Sequence, residues 1–200
     1  MRYLLSGLIL IIASMPVNAE EVYSAYTDLV PEKDCAVFAA PPPGEGDWYK
    51  MICAGWRGYP VQIDYSDVRA SAYFGFPRSS DLALPWESFV AFNTFGKTIE
   101  WRIRRQGNRE EPYATILRWF VGGADEGDTT EVLVVERVGW HHFREGCAVG
   151  LVVATGNPDA NAMARKMADE ETPRFACGAD QPLVVGADGV HTPEFSRVEP

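Results

Sequence analysis

Residues 139–147 read GWHHFREGC, which places two histidines, an arginine, a glutamate and a cysteine within nine positions. Imidazole, carboxylate and thiolate are the groups that bind transition metals or move protons near neutral pH. In an extended segment, neighbouring side chains point to opposite faces, so His141 and His142 are not expected to hold one ion together. A metal site here would need Glu145, His191 or a distant carboxylate as well. The competing reading is a polar turn ahead of a buried strand. A second oxygen-rich segment, ADEGDTTE, offers Asp125, Glu126, Asp128 and Glu131. Calcium favours such ligands, but the spacing is not that of an EF-hand loop, and a solvated hairpin tip explains the composition without an ion. His141, His142, Asp125 and Asp128 are thus the candidate metal residues of a chain that otherwise calls for no metal or cofactor.

A different chemistry is offered by Trp101, Arg102, Arg104, Arg118 and Trp119, which fall on two segments expected to be adjacent strands. Guanidinium groups beside aromatic planes recognise carboxylates, phosphates and sugar rings. The five residues form the candidate binding surface. Against this stands a structural role, with the tryptophans in the core and the arginines paired to Glu100, Glu110 or Glu136 across strands. Tyr49, Trp56, Tyr59, Tyr65 and Tyr73 divide in the same way between a groove lining and the cover of a small β core. For nucleophilic catalysis there is no G-x-S-x-G, S-x-x-K or H-E-x-x-H, so no catalytic residue is assigned.

The elements that must position these residues are mostly short strands between Gly, Pro and Asp turns. CAVFAA and WYKMIC read as partners across PPPGEGD. In DVRASAYFGF, Val68, Ala70, Ala72, Phe74 and Phe76 share one face by period-two alternation. TIEWRIRR and PYATILRWFV form a hairpin across QGNREE, with EVLVVERV to follow. CAVGLVVAT is apolar throughout, as expected of a strand buried on both faces. PRSSDLALPWESFVAFNTFG reads as a long irregular connection. One helix is expected at about 158–171, with Asn157 as N-cap and Pro158 in the first turn. Its apolar stripe is Ala160, Met163, Ala164, Met167 and Ala168, with Arg165, Lys166, Asp169 and Glu170 on the wet side. The expected fold is therefore mainly β (α+β), a single antiparallel sandwich or partly open barrel with one helix in the C-terminal half.

The first nineteen residues have the form of a secretory signal peptide: Arg2, then an apolar run from Tyr3 to Ala13, then Val17 and Ala19 at the positions before a cut. A helix of about a dozen residues spans roughly 18 Å, less than the ~30 Å hydrocarbon core of a bilayer. The mature chain is then residues 20–200, one domain with a loose tail at about 191–200. Loss of Arg2 moves the formal net charge of −10 to −11, which argues against nucleic acid and anionic membranes as partners. Four cysteines in an exported chain are expected to be oxidised. Of the three possible pairings, Cys35–Cys53 and Cys147–Cys177 each close a local loop and are preferred.

Several segments together carry a resemblance: CAGWRGYPVQIDYSDVRASAYFG, the FN at 92–93, EWRIRR, YATILRWF and NAMARKMAD. With its leader, the chain resembles a group of uncharacterised exported proteins of alphaproteobacteria. The resemblance implies a periplasmic or secreted address and transfers no activity. The function expected is a non-catalytic module that binds a periplasmic protein or envelope component. The alternatives are a periplasmic hydrolase using a histidine base and a metal-binding protein. The sequence leaves the oligomeric state open.

Overall fold

A computed structural model describes residues 20–77, 84–123, 127–142 and 145–198. The leader and Asp125 lie outside the described residues. The chain runs through β1 (Glu21–Asp28), a single helical turn α1 (Pro31–Asp34), β2 (Cys35–Ala39), β3 (Trp48–Cys53), β4 (Val61–Ser66), β5 (Arg69–Phe74) and β6 (Trp86–Phe89). The long hairpin β7 (Asn93–Gln106) and β8 (Arg109–Gly122) follows, then β9 (Thr129–Arg137) and β10 (Cys147–Val153). Helix α2 (Ala160–Glu171), β11 (Leu183–Val185) and β12 (Phe195–Val198) complete it.

Three sheets form a sandwich-like, mainly β fold with no closed barrel. A six-stranded sheet has the order β1-β7-β8-β9-β10-β11, a four-stranded sheet the order β2-β3-β4-β5, and β6 pairs with β12. All pairings are antiparallel except that of β10 with β11. Alternation sorts the side chains of the large sheet into two cores. Ile99, Trp101, Leu117, Trp119, Val132 and Val134 meet Met51, Ile63, Ala72 and Phe74 of the smaller sheet. Ala114, Ile116, Leu133, Val135, Val149 and Val152 meet α2 on the opposite face. β10 is buried along its whole length because it has the second sheet on one side and the helix on the other. Gly150 permits the helix to come close: a Cβ there would lie 2.3 Å from Met167 Sδ.

Both expected disulfides form. Cys35 and Cys53 are directly opposed across β2 and β3, and Cys147–Cys177 ties β10 to the segment after the helix. These bridges fit an oxidising, extracytoplasmic compartment. No helix among the described residues is long and apolar enough to cross a membrane.

Several local expectations are corrected. β1 was not anticipated. It is an edge strand, half exposed, so its alternation carries few apolar residues. The connection around residue 86 contains β6. The tail expected to be loose contains β12, pinned by Phe195 against Phe89 at 5.1 Å between ring centroids. Regular helix begins at Ala160, although Asn157 Oδ1 does accept the Asp159 N–H as an N-cap would. Met163 leaves the apolar stripe and is 41% exposed. Arg165 and Asp169, expected on the wet side, reach back to the sheet. Arg165 Nε donates to Glu100 Oε1 at 2.6 Å, and Asp169 takes a bidentate pair from Arg102.

The β6–β12 pair has a second task. β11 covers only Gly150–Val152 of β10, so Ala148 has no strand beyond it on that edge. The buried Glu87–Arg197 ion pair takes the missing strand's place. Glu87 Oε2 accepts the Ala148 N–H at 2.8 Å, and Arg197 Nη2 donates to the Ala148 carbonyl at 3.0 Å. Glu136, opposite Ala148 on β9, is buried beside them. Burial, then the nearby Glu87 charge, push its carboxyl well above the usual range, with Arg197 opposing the shift.

Candidate functional site

The pleat separates the five residues of the expected binding surface. Trp101 and Trp119 are 0% and 1% exposed between the two sheets. Arg102, Arg104 and Arg118 lie on the helix side of the large sheet. Their carboxylate partners are not the three expected from strand pairing. Arg102 binds Asp169, Arg118 Nη1 donates to Glu131 at 2.5 Å, and Arg104 lies against Glu20. Asp169 comes from the helix, whereas Glu131 and Glu20 are diagonal neighbours of Arg118 and Arg104, on β9 and just before β1. Tyr49, Tyr59 and Tyr65 pack against the inter-sheet core that includes Trp56, while Tyr73 is buried on the outer face of β5.

The histidines also differ from expectation. His141 and His142 occupy a turn and are exposed, with ring centroids 4.1 Å apart, because the segment is not extended there. Trp140 packs beside both, at 4.4 and 4.7 Å. Asp128 lines an open cleft at the other end of the sandwich with His191 and Glu194. Among the described residues, no group of three or more His, Cys, Asp or Glu side chains is placed to hold a metal ion.

What the fold does assemble is a concentration of arginines and aromatic rings around the β7–β8 turn. Arg57 lies over Trp56, Arg104 over Tyr113, Arg105 over Tyr23 and Arg109 over Trp140, each with its guanidinium carbon 4.7–4.9 Å from the ring centre. Glu110 links three of these groups. It accepts from Arg105 Nε at 2.8 Å and Tyr23 at 2.9 Å and pairs with Arg57. These hydrogen bonds, Arg105 first, hold its carboxyl below the usual range. Yet Arg57 and Arg109 keep side-chain exposures of 66% and 63%. A ring under each guanidinium holds its plane while leaving its donors in water.

Beneath this surface is a cleft of about 220 Å³. Its walls come from three parts of the chain: Arg104 and Glu111–Tyr113 of the β7–β8 hairpin, Arg137, Val138 and Trp140, and the turn Thr172–Pro173 that follows α2. Pro112 explains part of the shape. It has no N–H to give the ladder, and the pairing skips Tyr113 between Ala114–Arg102 and Pro112–Ile103. The bulge sends the Tyr113 hydroxyl to Asp169 on the helix. Burial and the Asp169 carboxylate push that hydroxyl far above its ordinary pKa, so it remains protonated at any physiological pH. The Gly75–Gly139 bridge fixes the chain just before Trp140.

Polar groups in the cleft are incompletely satisfied. Arg104 Nε lies 2.6 Å from Glu20 Oε1, but its N–H is not aligned to form a hydrogen bond. Arg137 uses Nη1 on the Phe175 carbonyl at 2.8 Å. Thr172 is 2% exposed, and its Oγ1 has no hydrogen-bond partner. Glu111 lies against Arg109, but its buried Oε1 likewise makes no aligned hydrogen bond. Of this set only Arg104 was among the candidates read from sequence. Arg137, Tyr113, Trp140 and Thr172 give no joint signal along the chain. No family model, curated protein or solved structure matches this chain.

Proposed function

We propose that the chain is a non-catalytic module of the periplasm that holds a protein or envelope component through the arginine-and-aromatic end of its sandwich. The observation that carries this reading is the clustering, in an acidic chain, of all four arginine-over-ring contacts found among the described residues around one hairpin. Ring-backed guanidiniums lose little further side-chain freedom when they bind a partner, which favours recognition over a purely internal role. The two disulfides, the leader-like first nineteen residues and the resemblance to exported alphaproteobacterial proteins support the address. Arg102, held by Asp169, and Arg118, held by Glu131 and Asn161 away from the β7–β8 turn, leave the binding surface of this reading; Arg57, Arg104, Arg105 and Arg109 form it.

Site-specific photocrosslinking in periplasm-containing cells tests the reading. A photoreactive residue in place of Arg109 should yield a discrete adduct. One in place of Val37, on the distant edge strand β2, should not. Arg57→Ala with Arg105→Ala should remove the adduct while leaving the unfolding temperature within a few degrees of the parent. Equal labelling from both positions, or an adduct indifferent to the arginine changes, counts against this surface.

A further inference from the structure

We infer that the cleft between the β7–β8 hairpin and the end of α2 is a binding site for one oxyanion, a carboxylate or phosphate group, held by Arg104, Arg137 and Thr172. The inference deepens the docking reading above by naming the chemistry that its partner would present. Three observations support it. First, Arg104 has a buried Nε–H whose nearest carboxylate, Glu20, is out of line, and the one hydrogen bond Arg137 makes among the described residues uses Nη1, on the Phe175 carbonyl. Planar guanidinium donors match the two oxygens of a carboxylate or phosphate. Second, a buried Thr172 hydroxyl without a partner costs stability unless a ligand or solvent satisfies it, and it borders the same cavity. Third, a carboxylate already approaches the site. Glu20 lies against Arg104 but is too far off line to make the bond, and it is half exposed. It is an intramolecular competitor that a better-placed anion displaces.

The charge balance permits this. Arg104, Arg109 and Arg137 face Glu20 and Glu111, an excess of one positive charge. The C-terminal end of α2 contributes about half a negative charge, which weakens but does not cancel the guanidinium field.

The test is a titration of the disulfide-bonded protein with inorganic phosphate and, separately, with acetate at constant ionic strength in chloride. It is followed through the arginine Nε–H and Trp140 indole resonances. Saturable shifts of Arg104 and Arg137 are expected. Arg104→Ala and Arg137→Ala should each weaken binding roughly tenfold or more, since a hydrogen bond to a charged group contributes on that scale. Thr172→Val preserves shape and should weaken binding several-fold, which guards against misreading a folding defect. Glu20→Gln should tighten it. Binding of phosphate alone assigns a phosphate-bearing ligand, binding of acetate alone a carboxylate-bearing one, and binding of both the shared oxyanion chemistry. Shifts no larger than those in chloride, or shifts unchanged by Arg104→Ala and Arg137→Ala, overturn the inference. The docking reading would survive that result if the Arg109 crosslink persists. Anion binding without the crosslink would sink the docking reading alone.

Discussion

Glu87→Met is the most instructive perturbation of the fold. Glu87 and Arg197 are both nearly buried, and together they substitute for a strand beside Ala148. Removing the carboxylate leaves a buried guanidinium without its counter-charge and the Ala148 N–H without its acceptor. Breaking one partner of a buried ion pair costs ~3–5 kcal/mol. At ~2–4 °C per kcal/mol for a domain of this size, a loss of about 4 kcal/mol lowers the unfolding temperature by roughly 8–16 °C. The double variant Glu87→Met/Arg197→Met should be less damaged than the single one. The Ala148 N–H is orphaned in both, so the double variant exchanges the unpaired charge, ~3–5 kcal/mol, for one unsatisfied carbonyl, ~1–3 kcal/mol. Urea denaturation of the oxidised protein, with both variants measured at neutral pH, gives the comparison. A single variant within ~1 kcal/mol of the parent, or a double variant worse than the single, would refute the view that charge burial dominates this clamp.

Thr115→Val should stabilise the domain by about 1 kcal/mol, because the fully buried Thr115 Oγ1 has no partner and valine keeps its shape in a central strand; thermal unfolding reads this directly. Glu136→Gln carries a pH signature. Its carboxyl titrates well above the usual range when folded, so above pH ~4.3 the unfolded chain gives up a proton that the folded chain keeps, and stability falls as pH rises. The variant lacks this slope, so its stability relative to the parent should grow as pH rises from about 4 towards the folded-state value. A flat difference across urea titrations from pH 4 to 8 would contradict it. Replacing Cys147 and Cys177 by alanine should cost somewhat more than replacing Cys35 and Cys53, about 3.6 against 3.2 kcal/mol by loop entropy, since the chain separations are 30 and 18 residues; paired denaturation curves decide. Asp169→Ala removes the carboxylate from Arg102 and the acceptor from Tyr113. It should loosen the α2–sheet contact, seen as faster amide exchange along α2.

Period-two alternation makes β5 and the β7 strand of the hairpin readable, and continuous apolarity makes β10 readable, because burial on one face or two leaves a distinct pattern. The helix and both disulfides followed from local signals as well: an i, i+3, i+4 stripe, and cysteines closing short loops. That alternation also contained the separation of Trp101 from Arg102, since a pleat cannot place neighbours on one face. Reading them as one surface set residue type above geometry. His141 and His142 show the opposite case, where a turn rather than an extended segment brings adjacent rings together.

Some charged side chains have partners that only the tertiary structure decides. Arg102 meets Asp169 across 67 residues, and Arg197 meets Glu87 across 110. Electrostatic pairing at such separations depends on which surfaces pack, and linear order carries no record of that. The cleft has the same origin, with walls drawn from three segments that a proline-linked bulge, a glycine bridge and the end of a helix bring together. Sequence sufficed for the central strands, the helix and the bridges because their causes are local, whereas the edge strands β1, β6 and β12 and the site arise from the packing of distant segments.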